Sequence, residues 1–462
     1  VCVIKLAIVH STEPYMSYDY DLFVIGAGPG GLAAAKRSAQ YGATVAIAEQ
    51  AQAGGGCVNR GCIPKKLMVY AAAFARLNQD ATAYGWSGSE RQFDWQRFVS
   101  ARNQEIERLQ QVQVQALAAA GVEFIHDRAQ FVDAHTLAVG KRTITADKIL
   151  LAVGGKPIKP EIQGIEHALT SNEMFNLTAL PQKIAILGGG YIGIEFASIL
   201  RGFGCDVTLM NHETCILSGF DADLAAAVHR GLVDRGIQIL CNTTMSAIAP
   251  VSEGFCLSLK GACVETLTVD AVLAATGRAP QLDGLNLDKA DVKADKKAIA
   301  VDDDSRTNQP HIFAVGDCTN RLQLTPVARA EGKAFADTTF GKLSRSVNYD
   351  YVPSAVCSYP EAASVGMTEA KAREQYGDMV RCYQTELQPL FYSLTDRSAQ
   401  SLIKLVVDGT TDRVLGIHMV GDHAAEIIQG LTVSLQMGVT KQALDQTIGI
   451  HPSSAEELFS LT

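Results

Sequence analysis

No apolar run in this chain reaches the length needed to cross a bilayer. That excludes a transmembrane helix, and no membrane partner is expected. Basic residues are not in excess either. The chain has 40 Lys and Arg against 49 Asp and Glu, a net charge of −9. A phosphate backbone would be repelled, so nucleic acid is excluded as a partner. Charged residues make up 19 % and hydrophobic residues 47 %, a globular and not a disordered balance. The 11 cysteines are scattered and lack the spacing of a secreted disulfide framework. A reducing compartment, the cytoplasm, is expected. No Cys/His cluster supplies four ligands, so no metal is expected. Val1 to Val9 is apolar but carries only Lys5, and no small-residue cleavage site follows. It is a poor signal peptide. Residues 1–16 are read as an N-terminal extension without function, with Met16 as the natural start.

What is present begins with the run Gly54-Gly-Gly-Cys-Val-Asn-Arg-Gly-Cys-Ile-Pro-Lys-Lys66. Cys57 and Cys62 are separated by four residues. A bridge between them would close a tiny loop and add little stability. Such a pair suits a disulfide that opens and closes. Two readings compete with this one: two unrelated buried cysteines, and half of a zinc site. Zinc needs two further ligands at compatible spacing, and no second close Cys pair accompanies this one.

A dinucleotide motif lies on either side of that run. Leu22 to Ile25 reads as a buried parallel strand, and a helix starts near Gly30. Gly26, Gly28 and Gly31 have the GxGxxG spacing. The first allows a tight turn, the second admits a pyrophosphate, and the third lets helix and strand pack closely. The helix N-terminus favours the phosphate charge. Glu49 ends the next strand, Thr44 to Ala48, where an acid can bind ribose hydroxyls. Gly188, Gly190 and Gly193 repeat the pattern. At the matching offset stands Asn211, followed by His212. Asn211 can bond a hydroxyl without repelling a 2′-phosphate, and no arginine follows to bind one. Two dinucleotide folds bracketing a redox pair imply an electron relay. The flavin belongs to the first site, because the Cys pair follows its second strand, and the nicotinamide belongs to the second.

Thr307 to Asp317 reads as a strand ending in Gly-Asp, where Asp317 can bond the ribityl chain of a flavin. An ordinary turn would look the same. Ala152 to Gly155 and Ala275 to Pro280, with Arg278, read as crossovers between domains. Near the C-terminus, His451 precedes Pro452 and a short helix. Ser453 and Glu456 have capping-box spacing. Glu456 can face His451 and orient its imidazole as a proton relay. The alternative is a helix cap beside a loop histidine.

These motifs, with Gly189-Gly-Tyr191, Glu195, Leu324-Thr-Pro-Val-Ala328 and His451-Pro-Ser-Ser-Ala-Glu-Glu457, resemble the flavoprotein disulfide reductases. The resemblance is closest to the glutathione reductases of plant and cyanobacterial type, and it runs from about Tyr18 to the C-terminus. It implies FAD, NADPH with NADH as the competing coenzyme, glutathione disulfide as substrate, and a homodimer. Cys57 would attack the substrate disulfide, and Cys62 would be the thiolate against the flavin. Lys65 would lie by the flavin and pair with Glu195. Gly56, Asp317 and Thr325 would complete the FAD site, the last at the pyrimidine edge. Tyr191 would cover the nicotinamide pocket, and Arg278 would join Asn211 and His212 on the coenzyme. His451 of the other subunit, backed by Glu456, would be the acid and base. Lys36, Arg37 and Lys333 are candidates for the carboxylates of glutathione.

The pattern breaks in places. Gly56 stands where the family usually has Thr. His212 and Ser218 stand where it has arginines for the NADPH phosphate. Gly193 stands where NADPH-using members often have Ala, and Gln113 where a glutathione-pocket Tyr is expected. Weaker discrimination for NADPH is therefore expected. The fold class expected is α/β, with two Rossmann-like domains and an α+β C-terminal dimerisation domain. The boundaries are read as 17–156 for FAD, 157–279 for NAD(P)H, 280–348 for a central domain completing the FAD site, and 349–462 for the interface. Within that last domain, Ser401 to Val407 and Val414 to Val420 read as a hairpin, and Ala424 to Met437 as an amphipathic helix. The competing readings are dihydrolipoamide dehydrogenase, which would carry an acid at position 211, and a flavin-binding interaction protein without turnover. Cys382 is the last cysteine, which argues against reductases that need a C-terminal Cys pair.

Overall fold

The computed structural model describes residues 17–88 and 92–461. The N-terminal extension and Met16 lie outside the described residues. The chain divides into two compact units. One is drawn from Val1–Ala53, Val112–Gly154 and Pro280–Ser346, the other from Gly54–Gln111, Gly155–Ala279 and Val347–Thr462. The cysteine run and the helices after it thus group with the second unit, whereas the motif before it lies in the first.

The first unit is built on a parallel sheet. Its strands are Glu123–Ile125, Val45–Ala48, Tyr20–Ile25, Arg142–Leu151 and Ile312–Ala314, in that spatial order. An antiparallel hairpin, Ala129–Phe131 and Thr136–Val139, extends it from Arg142–Leu151. Leu22, Phe23, Val24 and Ile25 are all at most 5 % exposed. A parallel strand covered on both faces needs this unbroken apolar run. Gly26 has φ +105°, and a Cβ there would lie 2.5 Å from Ala152 O. A Cβ on Gly31 would lie 2.0 Å from Gly26 O. Only glycine lets helix Pro29–Gln40 leave the strand this tightly.

The second unit repeats the device. Gln238–Leu240, Asp206–Met210, Lys183–Leu187 and Ala271–Ala274 form a four-stranded parallel sheet. Gly188 has φ +122° and sits 2.3 Å, at the Cβ position, from Ala275 O. Helix Tyr191–Gly202 follows. Three antiparallel strands, Thr243–Pro250, Phe255–Gly261 and Thr266–Val269, form a satellite sheet.

The C-terminal part is a five-stranded antiparallel sheet with Ser401–Asp408 and Val414–Val420 at its centre. These two strands are buried throughout, as central strands covered on both faces must be. Helix Ala424–Gln436 sets Ala424, Ile428 and Leu435 into the same core as Ile403, Leu405 and Ile417. The hairpin and the helix expected from the sequence are both present. No helix among the described residues is long and apolar enough to cross a membrane.

Candidate active site

Cys57 lies within the short helix Gly55–Arg60, and Cys62 is the first residue of helix Cys62–Asp80. Cys57 is half-buried and Cys62 is exposed. Gly54, with φ +106°, turns the chain into the first helix, where a Cβ would strike Val58 at 2.6 Å. Gly56 is exposed, with open space at its Cβ position. Cys62 thus sits where a helix N-terminus favours the thiolate.

Lys65, one turn along that helix, points at Glu195. Lys65 Nζ lies 2.7 Å from Glu195 Oε1. Glu195 is 4 % exposed on helix Tyr191–Gly202. Burial alone would lower the Lys65 pKa, but the Glu195 carboxylate and the neighbouring Cys357 outweigh it and hold the ammonium above its ordinary range. Cys357 enters here without any sequence signal. Its backbone N–H donates to Glu195 Oε1 at 2.8 Å, and its Sγ lies 3.9 Å from Lys66 Nζ. Lys66 also pairs with Glu361 at 3.0 Å.

The first unit carries the flavin-type motif. Glu49 accepts from Ala27 N at 2.9 Å and from Ala51 N at 2.9 Å. Those bonds aim the carboxylate at the mouth of the glycine turn, where Gly28 caps the helix. Asp317 lies in the 3-10 turn Gly316–Thr319, and Thr325 begins helix Thr325–Thr339. Buried Glu331 holds that turn by accepting from Gly316 N at 2.6 Å. The tight turn, the oriented Glu49 carboxylate and Asp317 make a donor and acceptor set that fits FAD.

In the second unit a Cβ on Gly190 would meet nothing within 4 Å, so the space a pyrophosphate needs is open. Gly193 packs at 2.0 Å from Gly188 O. Tyr191 is 41 % exposed at the helix start. Asn211 is buried, and its Nδ2 donates to Cys215 O at 2.6 Å. His212 is exposed, with Nε2 3.7 Å from Glu213 Oε1. Ser218 is also exposed. Arg278 Nη2 donates to Gly155 O at 2.5 Å.

The three cations expected from the sequence to meet the substrate part company. Arg37 Nε lies 2.6 Å from Asp337 Oδ1. Asp337 also accepts from Tyr41 Oη and from Arg345 Nη1, both at 2.8 Å. Burial would raise the Asp337 pKa, but Arg37, Arg345 and Tyr41 bring it down to about 2. Arg37 is therefore held in a structural pair. Lys36 instead shares a face with Lys333 and with Arg329, which the sequence reading omitted. The helices carrying them cross so closely that a Cβ on Gly332 would lie 2.3 Å from Gly30 O. Burial, then Arg329, then Lys333 lower the Lys36 pKa. Among the described residues no carboxylate pairs with any of these three.

His451 is exposed, and its Nδ1 lies 3.0 Å from Glu456 Oε2. Ser453 N donates to Glu456 Oε1 at 3.1 Å, and Glu456 N donates to Ser453 Oγ at 3.3 Å. The reciprocal bonds of a capping box exist, but Ser453 lies ahead of the 3-10 turn Glu456–Phe459, whose N-cap is Ala455 with no side-chain bond. Pro452 lies upstream and not in the first turn, because Glu456 and not Pro452 starts the turn. The Ser453 N–H and then His451 keep the Glu456 pKa below its ordinary value. A carboxylate at Nδ1 leaves Nε2 as the basic, exposed nitrogen.

Two dinucleotide turns and a cysteine-bearing redox helix in one chain define a nicotinamide-linked disulfide oxidoreductase. The chain belongs to this family. The model of pyridine nucleotide-disulphide oxidoreductases matches residues 20–332, and that of their dimerisation domain matches residues 352–461. Within it, the chain is 50 % identical over 458 residues to a glutathione reductase of Nostoc sp., covering 96 % of this chain and 100 % of the relative. It is 43 % identical over 445 residues to one from Burkholderia cepacia, covering 96 % and 98 %. It is 39 % identical over 464 residues to the chloroplastic/mitochondrial glutathione reductase of Pisum sativum, covering 98 % and 84 %.

Proposed function

We propose that this protein is a homodimeric, FAD-dependent glutathione-disulfide reductase that takes its electrons from NADPH. The observation that carries the reading is the redox helix, with Cys62 at its first position and Lys65 paired to Glu195 one turn on. The relatives that match over nearly the whole chain are glutathione reductases. The scattered cysteines suit a reducing compartment, which we take to be the cytoplasm.

Gly26, Gly28, Gly31, Glu49, Asp317 and Thr325 would hold FAD. Gly188, Gly190, Gly193, Tyr191, Asn211, His212 and Arg278 would hold the coenzyme. Bound FAD supplies the two-electron link between nicotinamide and the cysteine pair. The remaining chemistry belongs to the chain. The helix N-terminus and Lys65 favour a thiolate at Cys62. Cys57 attacks one sulfur of glutathione disulfide. The substrate S–S bond breaks as a mixed disulfide forms, and one glutathione thiolate leaves. As Cys57 attacks, His451 Nε2 takes its proton, Glu456 holds the resulting imidazolium, and Nε2 then gives that proton to the leaving thiolate. Cys62 then attacks the Cys57 sulfur, which expels the second glutathione and restores the Cys57–Cys62 disulfide. Two thiols are oxidised and one glutathione disulfide becomes two glutathiones. Lys36, Lys333 and Arg329 offer cations to the carboxylates of the substrate.

Turnover of glutathione disulfide and of lipoamide, each with NADPH and with NADH, tests the reading. Faster reduction of glutathione disulfide with NADPH is the expected result. Preference for lipoamide, or a yellow protein that reduces neither, overturns it.

A further inference from the structure

The coenzyme domain holds two more thiols that the reaction does not use. Cys215 is exposed and Cys241 is half-buried. Cys215 lies on the loop after strand Asp206–Met210. Cys241 lies in the turn between strands Gln238–Leu240 and Thr243–Pro250. The two segments are laced together. Asn211 N donates to Leu240 O at 2.9 Å, Thr243 N to Asn211 O at 2.9 Å, and Asn242 N to Glu213 O at 2.9 Å. Backbones bonded in this way run about 5 Å apart; Cys215 lies two residues past Glu213 and Cys241 one residue before its partner Asn242, so the two thiols stand on neighbouring segments, where a disulfide needs a Cα separation of roughly 4.4–6.8 Å. The thiols also sense each other. Burial, and then the neighbouring Cys215, raise the Cys241 pKa.

The same loop is tied to the nucleotide turn. Leu217 N donates to Gly189 O at 2.8 Å. Asn211 packs so tightly on Gly189 that a Cβ there would lie 2.6 Å from Asn211 Cγ. Asn211 Nδ2 in turn holds Cys215 O at 2.6 Å. A displacement of Cys215 therefore pulls on the residue that faces the coenzyme ribose.

We propose that Cys215 and Cys241 form a second dithiol–disulfide pair, which is oxidised by glutathione disulfide and weakens coenzyme binding through Asn211. The exposed Cys215 thiolate attacks glutathione disulfide, forming a mixed disulfide and releasing one glutathione. Cys241 attacks the Cys215 sulfur, forms the Cys215–Cys241 bond and releases the second glutathione. Two protein thiols lose two electrons, and one disulfide gains them. The identity of this oxidant rests on the proposed function; the pair itself does not.

The test uses the full-length holoenzyme, treated with excess glutathione disulfide without NADPH. A Cys57–Cys62 link, which the proposed function expects under these conditions, is mapped separately. Peptide mapping should find Cys215 linked to Cys241. The KM for NADPH should rise about fivefold or more, the scale of a typical coupling between sites, with kcat little changed. Dithiothreitol should reverse both effects. Cys215→Ser and Cys241→Ser should keep the basal activity and show neither the link nor the KM shift. A stable glutathione adduct at Cys215 without the link overturns the proposal. So does a link that leaves the KM unchanged, or a KM shift that survives in both variants. A parallel arm uses diamide as oxidant. If diamide forms the link in a protein that never reduces glutathione disulfide, the proposed function fails while the pair stands.

Discussion

Lys65 and Glu195 meet at 2.7 Å, although 130 residues separate them. Glu195 is 4 % exposed, so its charge depends on this one ammonium and on the Cys357 N–H. Lys65→Met strands a buried carboxylate and should cost about 3–5 kcal/mol of stability. The double variant Lys65→Met/Glu195→Leu removes both charges and should recover most of that loss. Turnover should fall about a hundredfold in both, because the redox helix loses its fixed cation. Thermal melts and steady-state rates separate the two effects. Equal melting losses in the single and double variants would contradict the argument.

The coenzyme site makes a different demand. Asn211 carries no charge, and exposed His212 stands beside Glu213. An imidazole cannot make the forked contact of a guanidinium with phosphate. NADPH should therefore be preferred over NADH by less than in a typical glutathione reductase. His212→Arg adds a charge-assisted bond of about 1.5–3 kcal/mol, so the KM for NADPH should fall about tenfold with that for NADH unchanged. Kinetics with both coenzymes decide the matter. A large NADPH preference in the unaltered protein would refute the first half.

Much of this was legible in local sequence patterns. The strand Leu22–Ile25, the three glycines after it and the acid at Glu49 form one short unit: a Cβ on Gly31 would strike Gly26 O at 2.0 Å, and Glu49 accepts from Ala27 N. The parts that were not legible depend on distant partners. Arg37 reads like Lys36, its neighbour on helix Pro29–Gln40. Asp337, 300 residues away, takes Arg37 and leaves Lys36 beside Arg329 and Lys333. Cys357 carries no motif, and its role as donor to Glu195 is a backbone bond spanning 162 residues. No period or spacing encodes such pairings; they follow from how helices far apart in the chain pack against distant segments.

A buried charge cluster gives the second unit a predictable acid limit. Lys404 is 1 % exposed, and its Nζ lies 3.0 Å from Asp221, 2.5 Å from Asp223 and 2.7 Å from Glu369. Bonds from Lys404 and Arg373 depress the Glu369 pKa from 4.5 to about 2. A depressed acid stabilises the fold above its unfolded value and loses that contribution as protons bind the folded form. Melting temperature should therefore hold from neutral pH to near 4.5 and decline steadily toward pH 2. Lys404→Met leaves three carboxylates without their shared cation. It should cost about 3–5 kcal/mol at neutral pH and flatten the acid decline. An unchanged acid profile in that variant would show that the cluster is not the cause.

The last prediction concerns which chain supplies the proton. His451 is 83 % exposed at its side chain, and Glu456 holds its Nδ1 at 3.0 Å. Under the proposed function, an acid and base this open needs a partner surface to close around the reacting sulfur. If each site borrows His451 from the other subunit, Cys57→Ser and His451→Ala homodimers should both be nearly inactive. A mixed dimer then contains one site with an intact Cys57 from one chain and an intact His451 from the other. Refolding the two variants together should restore up to about a quarter of normal activity, since half the dimers are mixed and each has one whole site. Tagged purification of the mixed dimer should raise this to about half. If His451 served its own chain, every site in the mixed dimer would lack one group and no activity would return. Cys57→Ser mixed with Cys62→Ser is the control: both cysteines must come from one chain, so that pair should stay inactive under either arrangement.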